Sequence, residues 1–275
     1  LRRGSVAPDM AIESEPLTLF HAHGRVLDIL TDNPDWGPCR PGQPWRLRVQ
    51  DVLSFYWHSG ITEIHYEWQE QGNDELAAFW FVHIVLPLYL TIEHGFDFIH
   101  ASALEVGQGA VLFIAPSTGG KSTLGDYFLK QGHAMLSDDK VRTLVRDGEF
   151  LAMPSHPHHR PYRRFEDLGQ PVAQFCSGPR PIRAFYCLEP GEPDGEVVLS
   201  EVTGFEKFEL LSPNYLYPLR FLQKERLRHL GSMVHATPVY RLQRPWNLQR
   251  QQETYDVILL VDSSHAGRWG SGLAL

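Results

Sequence analysis

The sequence has few cysteines, no low-complexity tract and no surplus of basic residues. Its three cysteines, Cys39, Cys176 and Cys187, are far apart and form no C-x-x-C pair. This pattern excludes a disulfide framework and a cysteine zinc site, and it favours a reducing, cytoplasmic location. The formal net charge is −8, which argues against nucleic acid as a partner because such proteins usually carry a basic excess.

Long uninterrupted hydrophobic runs are also missing. The first residues contain no apolar segment typical of a secretion signal. The most apolar stretch, residues 76–92, includes His83 and Pro87 and runs directly into Glu93 and His94. We therefore expect a buried core helix there rather than a membrane span, and no membrane partner.

The chain changes character along its length. Residues 1–75 contain short strand-like runs between proline and glycine turns and predict an α+β segment, which could be related to substrate. Residues 76–275 mix strands and helices without strict alternation, which predicts an α/β domain with a mixed sheet. The patterns predict strands at 17–22, 45–49, 62–66, 96–106, 109–115, 134–137, 141–145, 149–153, 184–188, 196–202 and 237–242, and helices at 74–94, 119–131, 212–230 and after residue 246.

The strongest motif is the segment APSTGGKST, residues 115–123, between a predicted strand and a predicted helix. This is the setting of a P-loop, in which successive backbone N–H groups and a helix N-terminus hold a phosphate. Lys121 can then reach the β- and γ-phosphates of a nucleotide, and the Ser122 hydroxyl can hold Mg²⁺. Ala115 replaces the opening glycine of the usual pattern, a mild change. The nucleotide-binding residues predicted from the motif are Ser117, Thr118, Gly119, Gly120, Lys121, Ser122 and Thr123.

Two adjacent carboxylates, Asp138 and Asp139, end the short strand that follows the P-loop helix. An aspartate in this place is typical of a magnesium partner. Two of them allow two roles, one towards the metal and one towards the nucleophile as general base. Ahead of the loop, His100 lies on a strand that we expect to pair with the strand entering the P-loop, from which it could hydrogen-bond the catalytic aspartate.

A histidine- and arginine-rich segment follows, with the sequence SHPHHRPYRR at 155–164. Pro157 breaks the helical spacing that pairs histidines on zinc, so a metal site is not expected there. The segment could instead contact substrate or phosphate, since arginine can neutralise charge in phosphoryl transfer, or it could be a solvated basic loop. The residues of interest are His158, His159, Arg160 and Arg163.

These pieces in this order resemble the catalytic domain of HPr kinase/phosphorylase, which has the P-loop fold of the phosphoenolpyruvate-carboxykinase type. The matching parts are His100, the run GGKST at 119–123 and the run KQGHAMLSDDKV at 130–141. Within that group the chain is most similar to HPr-kinase-related proteins that are not true HPr kinases, with IHASAL, GKSTL, LSDD, a proline-rich segment and a closing PVYRL strand. The resemblance covers roughly residues 80–262, and no counterpart of the glycine-rich signature segment is present.

The resemblance implies an ATP- and Mg²⁺-dependent serine kinase. By analogy, Asp138 is the base, Lys121 and Ser122 handle phosphate and metal, and Asp139 supports Mg²⁺. Related proteins act on peptide serines, including precursor peptides, or on free serine. We therefore expect transfer to a hydroxyl of a peptide or protein acceptor. A small-molecule kinase and a nucleotide-binding regulatory module without turnover remain alternatives, and the state of oligomerisation is open.

Overall fold

The computed structural model describes residues 1–3, 17–22, 25–31, 44–58, 63–161, 166–217 and 219–269. The chain forms two compact units. The N-terminal unit consists of Leu1–Phe96, Arg163–Leu168 and Tyr217–Lys224, and the C-terminal unit of Asp97–Tyr162, Gly169–Leu216 and Glu225–Leu275.

The described part of the N-terminal unit contains one six-stranded sheet in the order β1-β6-β5-β4-β3-β2. Its strands are β1 (Arg2–Arg3), β2 (Leu17–Ala22), β3 (Arg25–Thr31), β4 (Trp45–Val49), β5 (Leu53–Trp57) and β6 (His65–Trp68). Neighbours are antiparallel except β1 and β6. Aromatic side chains dominate the core, since Trp45 and Trp57 are fully buried and stack with their ring centroids 6.2 Å apart.

A long apolar helix completes this unit. It consists of α1 (Asp74–Trp80), a π-helical turn (Phe81–Val85) and α2 (Leu86–His94). The Asn73 side chain caps its first turn by accepting a hydrogen bond from the Leu76 N–H at 2.8 Å. By length and composition this helix could cross a membrane, with mean hydropathy 1.7, but 56% of its apolar window is buried inside the structure. A buried core helix can be equally long and apolar, and this degree of burial is typical of such a helix.

The C-terminal unit is built around a nine-stranded sheet within the described residues. The strands from residue 97 onward are β7 (Asp97–His100), β8 (Ser102–Val106), β9 (Gly109–Ile114), β10 (Met135–Ser137), β11 (Lys140–Arg146), β12 (Glu149–Met153), β13 (His158–His159), β14 (Gln170–Pro171), β15 (Arg180–Gly191), β16 (Val198–Glu201) and β17 (Val239–Pro245). The helices are α3 (Lys121–Lys130), α4 (Glu206–Leu211), α5 (Gln223–Ala236) and α6 (Gln251–Trp269), with 3₁₀ turns at Ser212–Asn214, Arg220–Leu222 and Leu248–Arg250.

The sheet mixes parallel and antiparallel pairs, so the prediction of a mixed α/β fold is confirmed. Strand β15 is parallel to both β9 and β17, whereas β8 is antiparallel to β9 and β10. One face of the sheet packs with Leu124 of α3 and Ile258 of α6, and the other with Leu211 of α4 and Met233 of α5. Strand β9 is buried at every position, as expected for a strand covered on both faces.

Three expectations differ from the structure. The domain boundary was expected at residue 75, but the compact units divide at Phe96, because the apolar helix buries its side chains in the N-terminal unit. The predicted helix at 212–230 is wrong: α4 ends before Ser212 and α5 begins at Gln223. Tyr217 precedes a proline, which disfavours helical backbone, and it adopts a φ of 54°.

The third difference concerns the predicted strand at 96–106, which is broken at Ala101. The Ala101 N–H donates to the Asp139 carbonyl at 3.2 Å instead of continuing a ladder. As a result the first half of the predicted strand, β7, pairs with β11, and the second half, β8, pairs with β9. The expected pairing of His100 with the strand entering the P-loop is therefore wrong, since His100 lies opposite Lys140.

Candidate active site

The segment between β9 and α3 forms a tight loop. Thr118 and Gly120 adopt left-handed backbone conformations, with φ of 67° and 86°, and such residues curl a backbone so that its N–H groups converge. A Cβ on Gly119 would lie 2.6 Å from the Ala115 Cβ, so position 119 has no room for a side chain. Ala115, which stands where the usual P-loop pattern has its opening glycine, is small enough for this turn.

Lys121 begins helix α3 and folds back over the loop. Its side chain is buried, and Nζ donates to the carbonyls of Ala115 at 2.7 Å and Pro116 at 3.4 Å. Ser122 and Thr123 follow in the first helical turn, both half-buried. A helix N-terminus carries a partial positive charge, so loop, lysine and helix together offer a concentrated cationic environment for an anion.

The sheet topology brings the two aspartates to the same edge as this loop. Strands β9 and β10 run in the same direction because both are antiparallel to β8, which lies between them. Their carboxyl ends are therefore about 10 Å apart, two strand spacings. The loop follows β9 and Asp138 follows β10, so the two features face each other across the end of β8.

Asp138 is buried and held from two directions. Its Oδ2 accepts a hydrogen bond from the Arg160 N–H at 2.8 Å, and its Oδ1 lies 3.3 Å from Nδ1 of His159. The opposite nitrogen of His159 lies 3.9 Å from Oδ1 of Asp126, a residue of α3. A Cβ on Gly125, also in α3, would lie 3.7 Å from Cε1 of His159. One buried imidazole thus packs between Asp138 and helix α3, which follows the loop.

Asp139 has different neighbours. His100 Nε2 lies 3.1 Å from its Oδ1, and Lys140 Nζ lies 2.8 Å from its Oδ2. Burial alone would raise the pKa of Asp139, but the Lys140 ammonium and the His100 ring hold that pKa well below its usual range. His100 therefore contacts the second aspartate, and Asp139 is a carboxylate kept ionised by its own cation.

The histidine- and arginine-rich segment is only partly a surface loop. His159 and Arg160 are buried, while His156 and His158 are half-buried, with ring centroids 5.8 Å apart. Burial, followed by the neighbouring His158, lowers the pKa of His156 to about 4. Arg163 lies outside the described residues. In this segment, His159 and the backbone N–H of Arg160 contact Asp138.

The oxygen donors at this edge fit Mg²⁺ carried by a nucleotide. Magnesium in such sites takes one or two protein oxygens, and phosphates and waters complete its shell. Ser122 and the aspartate pair are ligands of this kind, and Oδ1 of Asp138 is a buried oxygen without a hydrogen bond. Among the described residues there is no group of three or more His, Cys, Asp or Glu side chains that could hold a metal.

The two described cysteines lack reactive thiolates. Burial, together with Glu105, raises the pKa of Cys176 to about 11, and burial raises the pKa of Cys187 to about 12. Nucleophilic chemistry at these two positions is therefore disfavoured at neutral pH. Cys39 lies outside the described residues.

Sequence reasoning missed some neighbours of the site. Lys140 is adjacent to the aspartate pair and could have been noticed as its counter-ion. The contact of His159 with Asp138 depends on how the loop after β12 returns, for which the sequence carries no local signal. Arg244 and Trp246 lie beside Gly120, a proximity that becomes visible only when the order β9-β15-β17 is known.

No family model matches the chain, and no curated protein matches it. Among solved structures, the chain is similar to the Hpr(Ser) kinase/phosphatase from Coxiella burnetii, with 11% identity and a TM-score of 0.38 over 62% of this chain and 98% of that one. The likeness is a distant structural relationship.

Proposed function

We propose that this protein is an ATP- and Mg²⁺-dependent kinase that transfers a γ-phosphate to a hydroxyl group, with a serine of a peptide or protein as acceptor. The observation that carries the proposal is the buried Asp138 facing the loop 115–120 across one sheet edge, with His159 packed between it and helix α3. A protein that only binds nucleotide has no need of a buried carboxylate with an oxygen that makes no hydrogen bond at this edge of the sheet.

In this mechanism the loop amides and Lys121 bind the phosphates. Lys121 exchanges its carbonyl partners, Ala115 and Pro116, for phosphate oxygens, which neutralise its charge better than a carbonyl does. The helix N-terminus supplies further positive potential. Bound Mg²⁺ would neutralise charge on the phosphates, with Ser122 and Asp139 as its protein-side oxygens.

Asp138 acts as the base. Its Oδ2 accepts a hydrogen bond from the Arg160 N–H. Oδ1 makes no hydrogen bond, although His159 Nδ1 lies 3.3 Å from it, so Oδ1 is the oxygen that accepts the acceptor's hydroxyl proton. The new bond forms between that hydroxyl oxygen and the γ-phosphorus as the bond to the ADP oxygen breaks. Most catalysis in such a reaction is positioning and charge stabilisation, and the base takes the proton late.

The test is phosphate transfer from γ-labelled ATP by the purified chain in Mg²⁺, with a panel of serine-containing peptides and free serine as acceptors. Lys121→Ala should lower transfer by orders of magnitude, because the charge on the β- and γ-phosphates is lost. Lys130→Ala, at the exposed end of the same helix, is the matched control and should keep parental activity.

The outcomes separate the alternatives. Labelled peptide supports the proposal, and labelled free serine alone replaces its acceptor with a small molecule. ATP binding without transfer to any acceptor would favour a nucleotide-binding regulatory module. Full transfer by Lys121→Ala would contradict the assignment of the phosphate loop.

A further inference from the structure

Strand β17, on the far side of the loop from Asp138, carries Arg244 near its end, and Trp246 follows directly after the strand. Strand β17 is parallel to β15 and β15 to β9, so their carboxyl ends share the edge that carries the loop. Cys187 is level with both Ile114 of β9 and Arg241 of β17. Arg244 is three residues further on, about 10 Å beyond that level, and therefore reaches past the end of β9 alongside the loop.

Arg244 is a buried cation directed at the loop. It is 4% exposed, and its Nη2 donates to the Gly120 carbonyl at 3.4 Å. A Cβ on Gly120 would overlap Nη2, so this approach depends on glycine at that position. Burial lowers the pKa of the Arg244 guanidinium. Its Nε has no hydrogen bond, and among the described residues no carboxylate lies within ion-pair distance of it. A buried guanidinium without a carboxylate is costly unless an anion completes its environment.

Trp246 lies beside Arg244 and is partly exposed to solvent. Its indole is 50% exposed, and Cζ3 lies 3.6 Å from a Cβ position on Gly120. The Arg244 guanidinium carbon is 5.5 Å from the indole ring centroid, which is cation–π distance. Exposed indoles next to phosphate-binding groups are suited to stacking on a nucleobase.

The direction of the nucleotide follows from the proposed function, on which this inference rests. The γ-phosphate must face Asp138, which follows β10 on one side of β9. The other end of the nucleotide then extends towards the opposite side, where β15 and β17 end. We propose that Arg244 contacts the phosphate chain of a bound nucleoside triphosphate and that Trp246 stacks on its base.

The test compares two probes by calorimetry in Mg²⁺: ATP and inorganic tripolyphosphate, which has phosphates but no base. Trp246→Ala should weaken ATP binding about tenfold, within the range for loss of one stacked base, and leave tripolyphosphate binding unchanged. Trp246→Phe should restore ATP binding. Arg244→Ala should weaken both probes, and Arg244→Lys should recover part of the loss. Trp68→Ala removes an exposed indole of the N-terminal unit and is the control for the loss of an exposed tryptophan elsewhere in the chain.

Failure of this inference is distinguishable from failure of the kinase proposal. If the parent chain binds ATP and Trp246→Ala binds it equally well, or loses both probes alike, the base contact is wrong while the kinase proposal stands. If the parent chain binds neither probe, both are wrong. Where transfer is measurable, Trp246→Ala should raise KM for ATP and preserve kcat, whereas general damage to the fold would lower kcat and the melting temperature together.

Discussion

The two sides of the candidate site are charged in opposite ways. On the loop side, Lys121 and Arg244 are buried cations that donate hydrogen bonds to backbone carbonyls. On the other side, Asp138 and Asp139 are carboxylates with histidine, lysine or backbone N–H partners. One edge of the sheet therefore places buried cations and carboxylates side by side, an arrangement that suits the phosphoryl transfer proposed above.

The largest effects are expected when each carboxylate is changed in turn. Asp138→Asn keeps shape but cannot take a proton, so it should bind Mg²⁺-ATP like the parent and lose about 100-fold or more in transfer. Asp139→Asn should instead weaken the magnesium dependence and leave the Lys140 ammonium without its partner. Binding by calorimetry and transfer of labelled phosphate measure the two effects. Parental transfer by Asp138→Asn would refute the assigned base.

Gly120→Ala tests the loop side. The substitution forces a Cβ into a backbone at φ 86° and into the Arg244 guanidinium. We expect at least tenfold weaker ATP binding and a stability loss of about 1–2 kcal/mol, the cost of a left-handed non-glycine residue. Gly178→Ala, where a Cβ would meet nothing within 4 Å, is the matched control. Equal ATP affinity in both variants would show that the loop geometry is unimportant for binding.

The contact of Asp138 with helix α3 through His159 can also be tested. His159→Ala removes the ring that packs between Asp138 and α3, so Asp138 should become less well oriented. We expect kcat to fall about tenfold, less than the roughly 100-fold or more expected for loss of the acid–base group itself, with KM for ATP unchanged. His158→Ala, the half-buried neighbour, should have little effect on kcat. Equal losses in kcat and in ATP affinity would mean that His159 supports the fold in general.

The smallest effect concerns pH and stability. Because the pKa of His156 is lowered to about 4 in the folded chain, the unfolded chain takes up its proton first as pH falls. The stability contributed by neutral His156 is therefore present above its ordinary value near 6.5 and is lost progressively from there down to about pH 4. His156→Asn should show a smaller drop in melting temperature between pH 7 and pH 5 than the parent. An identical drop would contradict the lowered pKa.

The elements with strong local patterns could be predicted from sequence. The strands at 17–22, 45–49 and 149–153 and the helix at 74–94 have the predicted bounds, because alternation, apolar periodicity and the turn at Asp147 and Gly148 are local signals. The tight loop between β9 and α3 was predictable for the same reason, and its binding of phosphate stays a prediction. The long helix predicted at 212–230 failed, since a serine–proline pair looks like a helix start even where it follows a helix end.

What sequence could not provide was the order of strands. A break at one residue, Ala101, moved His100 onto another strand and so changed its carboxylate partner from the expected Asp138 to Asp139. The approach of Arg244 to Gly120 joins positions 124 residues apart in the chain and depends on two parallel pairings. Long-range register of this kind is decided by packing of the whole sheet, which no short window contains.

Strand β15 has a consequence for how the C-terminal unit opens. Its 12 residues pair with β12 at 180–181, with β9 between 182 and 187 and with β17 over 185–191, so three strands of the sheet are joined through one segment. Successive backbone amides in its centre, from Phe185 to Cys187, bond alternately to the strands on its two sides, so each exchanges with deuterium only when the strand it bonds to separates. The slowest exchange should lie there, and the edge strand β16 should exchange by local opening. The cationic and acidic sides of the candidate site are thereby held in one cooperative unit, and the distance between them is maintained by the backbone and not by the side chains of the site.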